Sequence, residues 1–291
     1  MIKINIEDTR YPKILRNIKN APKQLYLEGN IKLLDTHGIA IIGSRKCSEN
    51  GSKMAKKFAK ELVSQNITII SGMANGIDTY AHIGALENRG NTIAVLGCGF
   101  NNIYPQKNEK LYKQIIKNNG LIVSEYPPET EASSEKFIER NRIVSGLSIG
   151  ILVIEAKHRS GTSVTAKIAK SQNRKVFTIP HDLSDKCGIG TNRLIKKGAS
   201  LITSTKDIIE SFDFLEYKEE LIKENKNKAE GKREPKEEKY RKIYRLINKG
   251  DNTPIKIAKK IGSSIKSINN ILIMLEIEGY IKKEKGEYTC I

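Results

Sequence analysis

Three stretches of this 291-residue chain carry side chains suited to holding phosphate. Gly43-Ser44-Arg45 follows a short apolar run and sets a guanidinium two residues past its end, where it can fork onto a phosphate. Phe137-x-x-Arg140-Asn141-Arg142 places an aromatic, two guanidiniums and an amide within two helical turns. Arginine pairs with phosphate, and an aromatic face stacks on a base. On one helix these cannot all point the same way: Phe137, Asn141 and Arg140 can share a face, from which Arg142 is turned away. Phe137 reads equally well as a core residue. Ser160-Gly161-Thr162 offers hydroxyls and backbone N–H groups at a helix start, with Lys167 one turn further in. That suits an anion, and it also makes an ordinary capping turn.

Other chemistries find less support. Asp78 and His82 stand four apart on a helix and can touch, which is half of a nucleophilic triad, but no serine or cysteine is placed as the third member. A structural pair at a helix start is the plainer reading. The turn after residue 42 has its glycines eight apart, at Gly43 and Gly51, so it is not the G-x-G-x-x-G dinucleotide fingerprint. The Walker pattern for a triphosphate with Mg²⁺ is missing as well. Cys47, Cys98, Cys187 and Cys290 are scattered without a C-x-x-C, which suggests reduced thiols in a cytoplasmic protein and no zinc site. No cofactor and no metal is expected. The N-terminus has no apolar segment of signal-peptide type, and no apolar run reaches the ~18 residues of a membrane span.

The elements that must position these residues read as a βα alternation. Apolar runs at 39–42, 67–70, 93–96, 121–124, 149–154, 175–179 and 201–203 are expected strands, several of them stopped by glycine or proline. Between them lie helical patterns, among them one capped near Ser48, one holding Asp78 in its first turn, and others over 108–118, 134–147 and 163–172. This is an α/β fold with a mostly parallel sheet and helices on both faces. Glycine turns after successive strands fall on one edge of such a sheet, which is its binding edge. The expected division is an N-terminal extension over 1–34, with Leu25 to Leu27 as an added edge strand, the α/β domain over 35–215, a charged linker over 216–238, and a small domain over 239–291.

Charge points to a polyanionic partner. Lys plus Arg total 51 against 33 Asp plus Glu, for a net charge of +18, although a general lysine-rich bias explains part of that excess. Residues 239–291 hold 12 basic and 5 acidic residues. Their pattern is three helices and a strand pair turning at Lys285-Gly286, with Thr253-Pro254 opening the second helix and Gly279 closing the third. That is the outline of a winged helix. Its third helix offers only Lys266, Asn269 and Asn270 outward, so docking of protein or support of the fold stands beside reading of duplex DNA.

Seven blocks in order, AIIGSRKCSENG, IISGMANGIDTYAH, TIAVLGCGFNNIYP, SEYPP, FIERNRIVSGLS, VIEAKHRSGTSVTA and GTNRLIKKGA, resemble the DNA-processing protein A family (DprA, also called Smf). The resemblance covers about 36–211 and implies a Rossmann-like domain that binds single-stranded DNA and forms a homodimer. It further implies a role that is not enzymatic: protecting DNA taken up in natural transformation and helping to load the RecA recombinase. The family's DNA pocket would fall here on Gly43, Ser44 and Arg45 and on Phe137, Arg140, Asn141 and Arg142, and contacts from Ser160, Gly161, Thr162 and Lys167 extend it. The chain departs from the family at His181, where glycine usually follows the proline, and in beginning too late to hold a full helical N-terminal domain. The alternative is a nucleotide-binding enzyme or sensor of the lysine-decarboxylase-like phosphoribohydrolase type. Its catalytic glutamate would stand where this chain has Thr165.

Overall fold

The computed structural model describes residues 1–157, 160–218, 235, 237–277, 280–284 and 286–290, in two compact units, Met1–Ile222 and Lys223–Ile291. Arg159, Gly279, Lys285 and most of the expected linker lie outside the described residues.

The first unit contains nine strands: β1 (Ile2–Asn5), β2 (Gln24–Gly29), β3 (Gly38–Ile42), β4 (Thr68–Ser71), β5 (Thr92–Leu96), β6 (Leu121–Ser124), β7 (Gly150–Val153), β8 (Lys175–Thr178) and β9 (Ser200–Leu201). They form one sheet in the order β1-β2-β6-β5-β4-β3-β7-β8-β9. From β6 across to β9 every pairing is parallel. The N-terminal pair is antiparallel, Ile2 facing Leu27, and β2 runs antiparallel to β6, Leu27 facing Val123. The segment around Leu25 is thus not the edge: β1 covers it, so the first residues of the chain extend the same sheet.

Among the described residues eight α-helices accompany these strands: α1 (Lys13–Arg16), α2 (Glu49–Ser64), α3 (Ile77–Glu87), α4 (Glu109–Lys117), α5 (Ser134–Gly146), α6 (Gly161–Ser171), α7 (Ile189–Lys196) and α8 (Thr205–Ile209). Alternation along β3 divides the core between the two faces of the sheet. Ile39 and Ile41 pack with Ala55, Phe58 and Leu62 of α2 and Ala81 of α3. Ala40 and Ile42 pack with Ile143 and Val144 of α5 and Ala166 and Ala169 of α6. The central strands β3, β4 and β5 are fully buried, which is why they read as apolar runs. Ser48 caps α2, its side chain accepting from Gly51 N at 2.9 Å. Among the described residues no helix is long and apolar enough to cross a membrane, and no group of three or more His, Cys, Asp or Glu could hold a metal ion.

Among its described residues the second unit holds α9 (Glu238–Asn248), α10 (Pro254–Ile261), α11 (Ile265–Ile277) and an antiparallel pair, β10 (Ile281–Glu284) and β11 (Glu287–Cys290). Thr253 caps α10 ahead of Pro254, and Gly262 ends it at φ 70°, in the left-handed region that favours glycine. Ile243, Ile247, Ile257, Ile268, Leu272, Leu275 and Tyr288 share its core.

Candidate functional site

Strand order locates the site. The chain leaves β3 toward β4, β5 and β6 on one side, then returns to β7 on the other side of β3 and continues to β8 and β9. At such a switch point the loops leaving neighbouring strands diverge and open a crevice at the carboxyl edge. A cavity of about 420 Å³ lies there. Gly43, Ser44 and Arg45 enter it from the end of β3, Gly72 and Ala74 from the end of β4, Lys157 and Ser160 from the segment between β7 and α6, and Gly161 and Thr162 from the first turn of α6. Phe137, Arg140 and Asn141 of α5 also line it. Nine of the eleven residues expected to hold DNA therefore surround one cavity.

The inner wall is a buried charge system. Arg140, only 3 % exposed, donates Nη1 to the carbonyls of Gly72 and Val95. Gly72 leaves room for it, since a Cβ there would overlap the guanidinium. The other charged group of the wall is Asp78, 6 % exposed, whose Oδ2 accepts from Gly72 N at 3.1 Å. Burial pushes its carboxyl upward, against the pull of the Arg140 and Arg45 charges. Burial likewise pushes Arg140 downward, and Asp78 opposes that shift. Arg140 is thus committed to the protein's own backbone and supplies a fixed positive potential beneath the cavity.

The rim is open and basic. Arg45 is exposed, with its guanidinium carbon 5.4 Å from the Phe137 ring centre, and the Phe137 ring lies 5.3 Å from that of Tyr104, 51 % exposed. This row of guanidinium and two rings presents both charge and stacking surface. Lys157 adds a second exposed cation. At the opposite lip, the N–H groups of the first turn of α6 have no partners within the helix, and Ser160 caps that turn.

Several contacts hold the loops in register. Glu155, fully buried just after β7, accepts from Ser48 N at 3.1 Å and from Ser48 Oγ, and so ties the β7–α6 segment to the β3–α2 loop. Asn108 donates to Met73 O at 2.8 Å and to Thr79 Oγ1 at 2.9 Å, which fixes the turn between β4 and α3. Gly76 at φ 77° brings that turn against the Ser44 and Arg45 backbone, where a Cβ would overlap Ser44 O.

Two expected site residues lie elsewhere. Arg142 donates Nη2 to both carboxylate oxygens of Glu125, at 2.7 and 2.9 Å, and is not part of the cavity wall. Lys167 lines a different cavity, between α6 and α7. The Asp78–His82 contact is not formed: His82 Nδ1 meets Thr92 Oγ1 at 2.7 Å while Asp78 turns to Gly72. His181 neither crowds the binding edge nor offers itself to a ligand, because its ring nitrogens face Ile154 O at 2.8 Å and Asp185 Oδ2 at 3.0 Å. Tyr104, Lys157, Glu155 and Asn108 were not foreseen. Tyr104 carried the one available signal, an aromatic in the loop leaving a strand at the glycine-rich edge.

Comparison with known proteins bears on this arrangement. Residues 3–213 match the model of the DNA recombination-mediator protein A family. DNA processing protein DprA of Streptococcus pneumoniae is 42% identical over 210 residues, 72% of this chain and 74% of that protein. Protein Smf of Escherichia coli is 35% identical over 283 residues, 96% of this chain and 74% of that protein. The crystal structure of the S. pneumoniae protein superposes with a TM-score of 0.70 at 41% identity, covering 73% of this chain and 75% of that one. DNA processing protein A of Helicobacter pylori, solved for its single-stranded DNA binding mode, superposes with a TM-score of 0.64 at 34% identity, covering 72% and 94%. The chain therefore belongs to the DNA recombination-mediator protein A family.

Proposed function

We propose that the chain is a recombination mediator that grips single-stranded DNA in the switch-point cavity and acts without catalysis. The observation that carries this reading is the exposed Arg45 guanidinium stacked on Phe137 beside Tyr104, above a cavity lined by glycine loops and a helix N-terminus. Arg45 and Lys157 meet phosphates, the first-turn amides of α6 meet another, and the Phe137–Tyr104 pair stacks a base. An unpaired strand can present its bases to that pair, whereas a duplex keeps them stacked inside, so single strands are preferred and sequence preference is slight. Arg140 contributes potential from below and does not itself fork onto the strand. The homodimer, and delivery of the strand to the RecA recombinase during natural transformation or recombination, complete the reading on the strength of the family resemblance. The second unit is assigned as a winged helix on its helix and strand order. The phosphoribohydrolase reading lacks its carboxylate: Thr165 occupies that position and donates to Gly161 O at 3.1 Å.

The test is a salt-dependent comparison of single-stranded and duplex DNA binding by the intact chain and by Arg45→Ala. Loss of one charge-assisted phosphate contact weakens single-strand binding about 10- to 100-fold and makes the log–log salt slope shallower by about 0.7. Equal affinity for duplex, or an Arg45→Ala protein that binds as well as the parent, defeats the proposal.

A further inference from the structure

In the second unit the cations gather on the first helix, whereas a helix-turn-helix reads bases with a later one. The third helix, α11, turns Ile265, Ile273 and Met274 outward and has Lys266 as its single cation. Helix α9 buries Ile243, Tyr244 and Ile247 and exposes Lys242, Arg245 and Lys249. These three line one hollow with Glu238, Arg241 and Leu246. They are spaced three and four apart, so they form one row, about 10 Å long at about 1.5 Å per residue. Arg241 is half-buried beside the row and donates Nε to Pro235 O at 3.1 Å. Glu238 is the one acid lining the hollow among the described residues, and it stands in the first turn, where negative charge suits the helix dipole.

Such a row can face a nucleic-acid backbone, an anionic membrane or an acidic protein. Its surroundings favour the first. A helix lying in a membrane interface needs large apolar side chains beside its cations, and a protein interface needs an aromatic or aliphatic anchor. Leu246 is the one large apolar side chain lining the hollow among the described residues, and it packs against the unit's own core. The row has no stacking surface either, because Tyr240 and Tyr244 of the same helix pack into that core. It therefore meets phosphates alone. A duplex, with one charge per ~1.7 Å of its axis, offers them more densely than a single strand.

We infer that α9 is a grip for duplex DNA, in which Lys242, Arg245 and Lys249 face backbone phosphates without reading bases. Three such contacts hold weakly, so the preference of the whole chain for single strands stands. The site is independent of the switch-point cavity. The test measures binding of a duplex of about 20 base pairs and of oligothymidine of about 6 nucleotides across a salt series. The intact chain is compared with K242Q/R245Q/K249Q, its charge-keeping counterpart K242R/R245K/K249R, K249Q alone and Arg45→Ala, with thermal melting as the folding control. On the duplex the glutamine triple has a log–log slope shallower by about 2 to 3, K249Q alone loses about 0.9, and the counterpart keeps the parent slope. On oligothymidine the glutamine triple binds like the parent, while Arg45→Ala is weakened. Parent-like duplex slopes for the glutamine triple and K249Q overturn the inference and leave the switch-point reading intact. If that triple also releases phosphatidylserine vesicles that the parent holds, the row serves a membrane instead. Equal weakening of both ligands by Arg45→Ala overturns the inference too, since the duplex would then sit in the switch-point cavity. Unchanged oligothymidine binding by Arg45→Ala, with duplex binding lost in the glutamine triple, defeats the switch-point reading alone.

Discussion

The buried His82 makes a prediction whose size follows from its contacts. Thr92 Oγ1 has a single proton and gives it to Ile69 O at 2.9 Å, so it accepts from His82 Nδ1–H at 2.7 Å. The ring is therefore neutral with its bare Nε2 buried and unpartnered. Charging it would bury a cation, and one near the Arg140 guanidinium; burial first and Arg140 second lower its pKa from 6.5 to about 3. The folded-state value lies below the unfolded one, so the contribution to stability is complete above about pH 6.5 and is lost as pH falls toward 3. Across that window the unfolded chain takes up a proton that the fold refuses, at about 1.4 kcal/mol per pH unit. Falling from about pH 6.5 to about 4.5 thus removes about 2 kcal/mol through this one ring, since the unfolded ring is already half charged at the upper end. Asp78 acts the other way, because its raised carboxyl gains a proton in the fold before the unfolded chain does. Comparison at each pH with His82→Asn, which keeps an amide donor for Thr92, cancels that opposing part. The gap in stability between parent and variant narrows by about 2 kcal/mol over the same two pH units. Urea unfolding of the first unit measures the gap, and nitrogen NMR of the rings reports the tautomer directly. A His82 ring that titrates near its ordinary value, or acid limbs that run parallel in the two proteins, refutes the reasoning.

Arg140→Met leaves the Gly72 and Val95 carbonyls and the Asp78 carboxylate without their cation, a loss of about 3–5 kcal/mol. Calorimetry of the first unit then shows a melting point lower by roughly 6–20 °C, and a shift of only a degree or two rules out the structural role given to this arginine. Glu155→Gln removes the charge from the contact with Ser48 and weakens it by about 1.5–3 kcal/mol. Faster amide exchange at Ser48 and Gly51 is the readout, and unchanged exchange at both counts against the tie between the two loops. Tyr104→Leu and Phe137→Leu each lose about 1–3 kcal/mol of binding to oligothymidine and much less to an abasic strand of equal length. Equal losses on both strands would mean that the rings do not stack on bases.

The central strands β3 to β7 were legible because they are buried on both faces, and because glycine follows three of them, at Gly43, Gly72 and Gly97. Their order was not, since a parallel pair is joined through a helix and nothing local says on which side of β3 the chain returns. The switch point, and with it the reason that Gly43, Phe137 and Ser160 meet at one cavity, comes only from that order. Arg140 and Asn141 sit side by side in the sequence, yet one is buried on backbone carbonyls and the other half-buried on the cavity wall. Residue type alone cannot separate an arginine that grips a ligand from one that satisfies a turn. Lys167 is different, because its separation was computable. At 3.6 residues per turn, five residues past Thr162 is about 140° round the helix, too far to share a cavity with the first turn. The same arithmetic puts Lys167 on one stripe with Ser163 and Lys170. The helix that caps the first cavity is for that reason also a wall of the second.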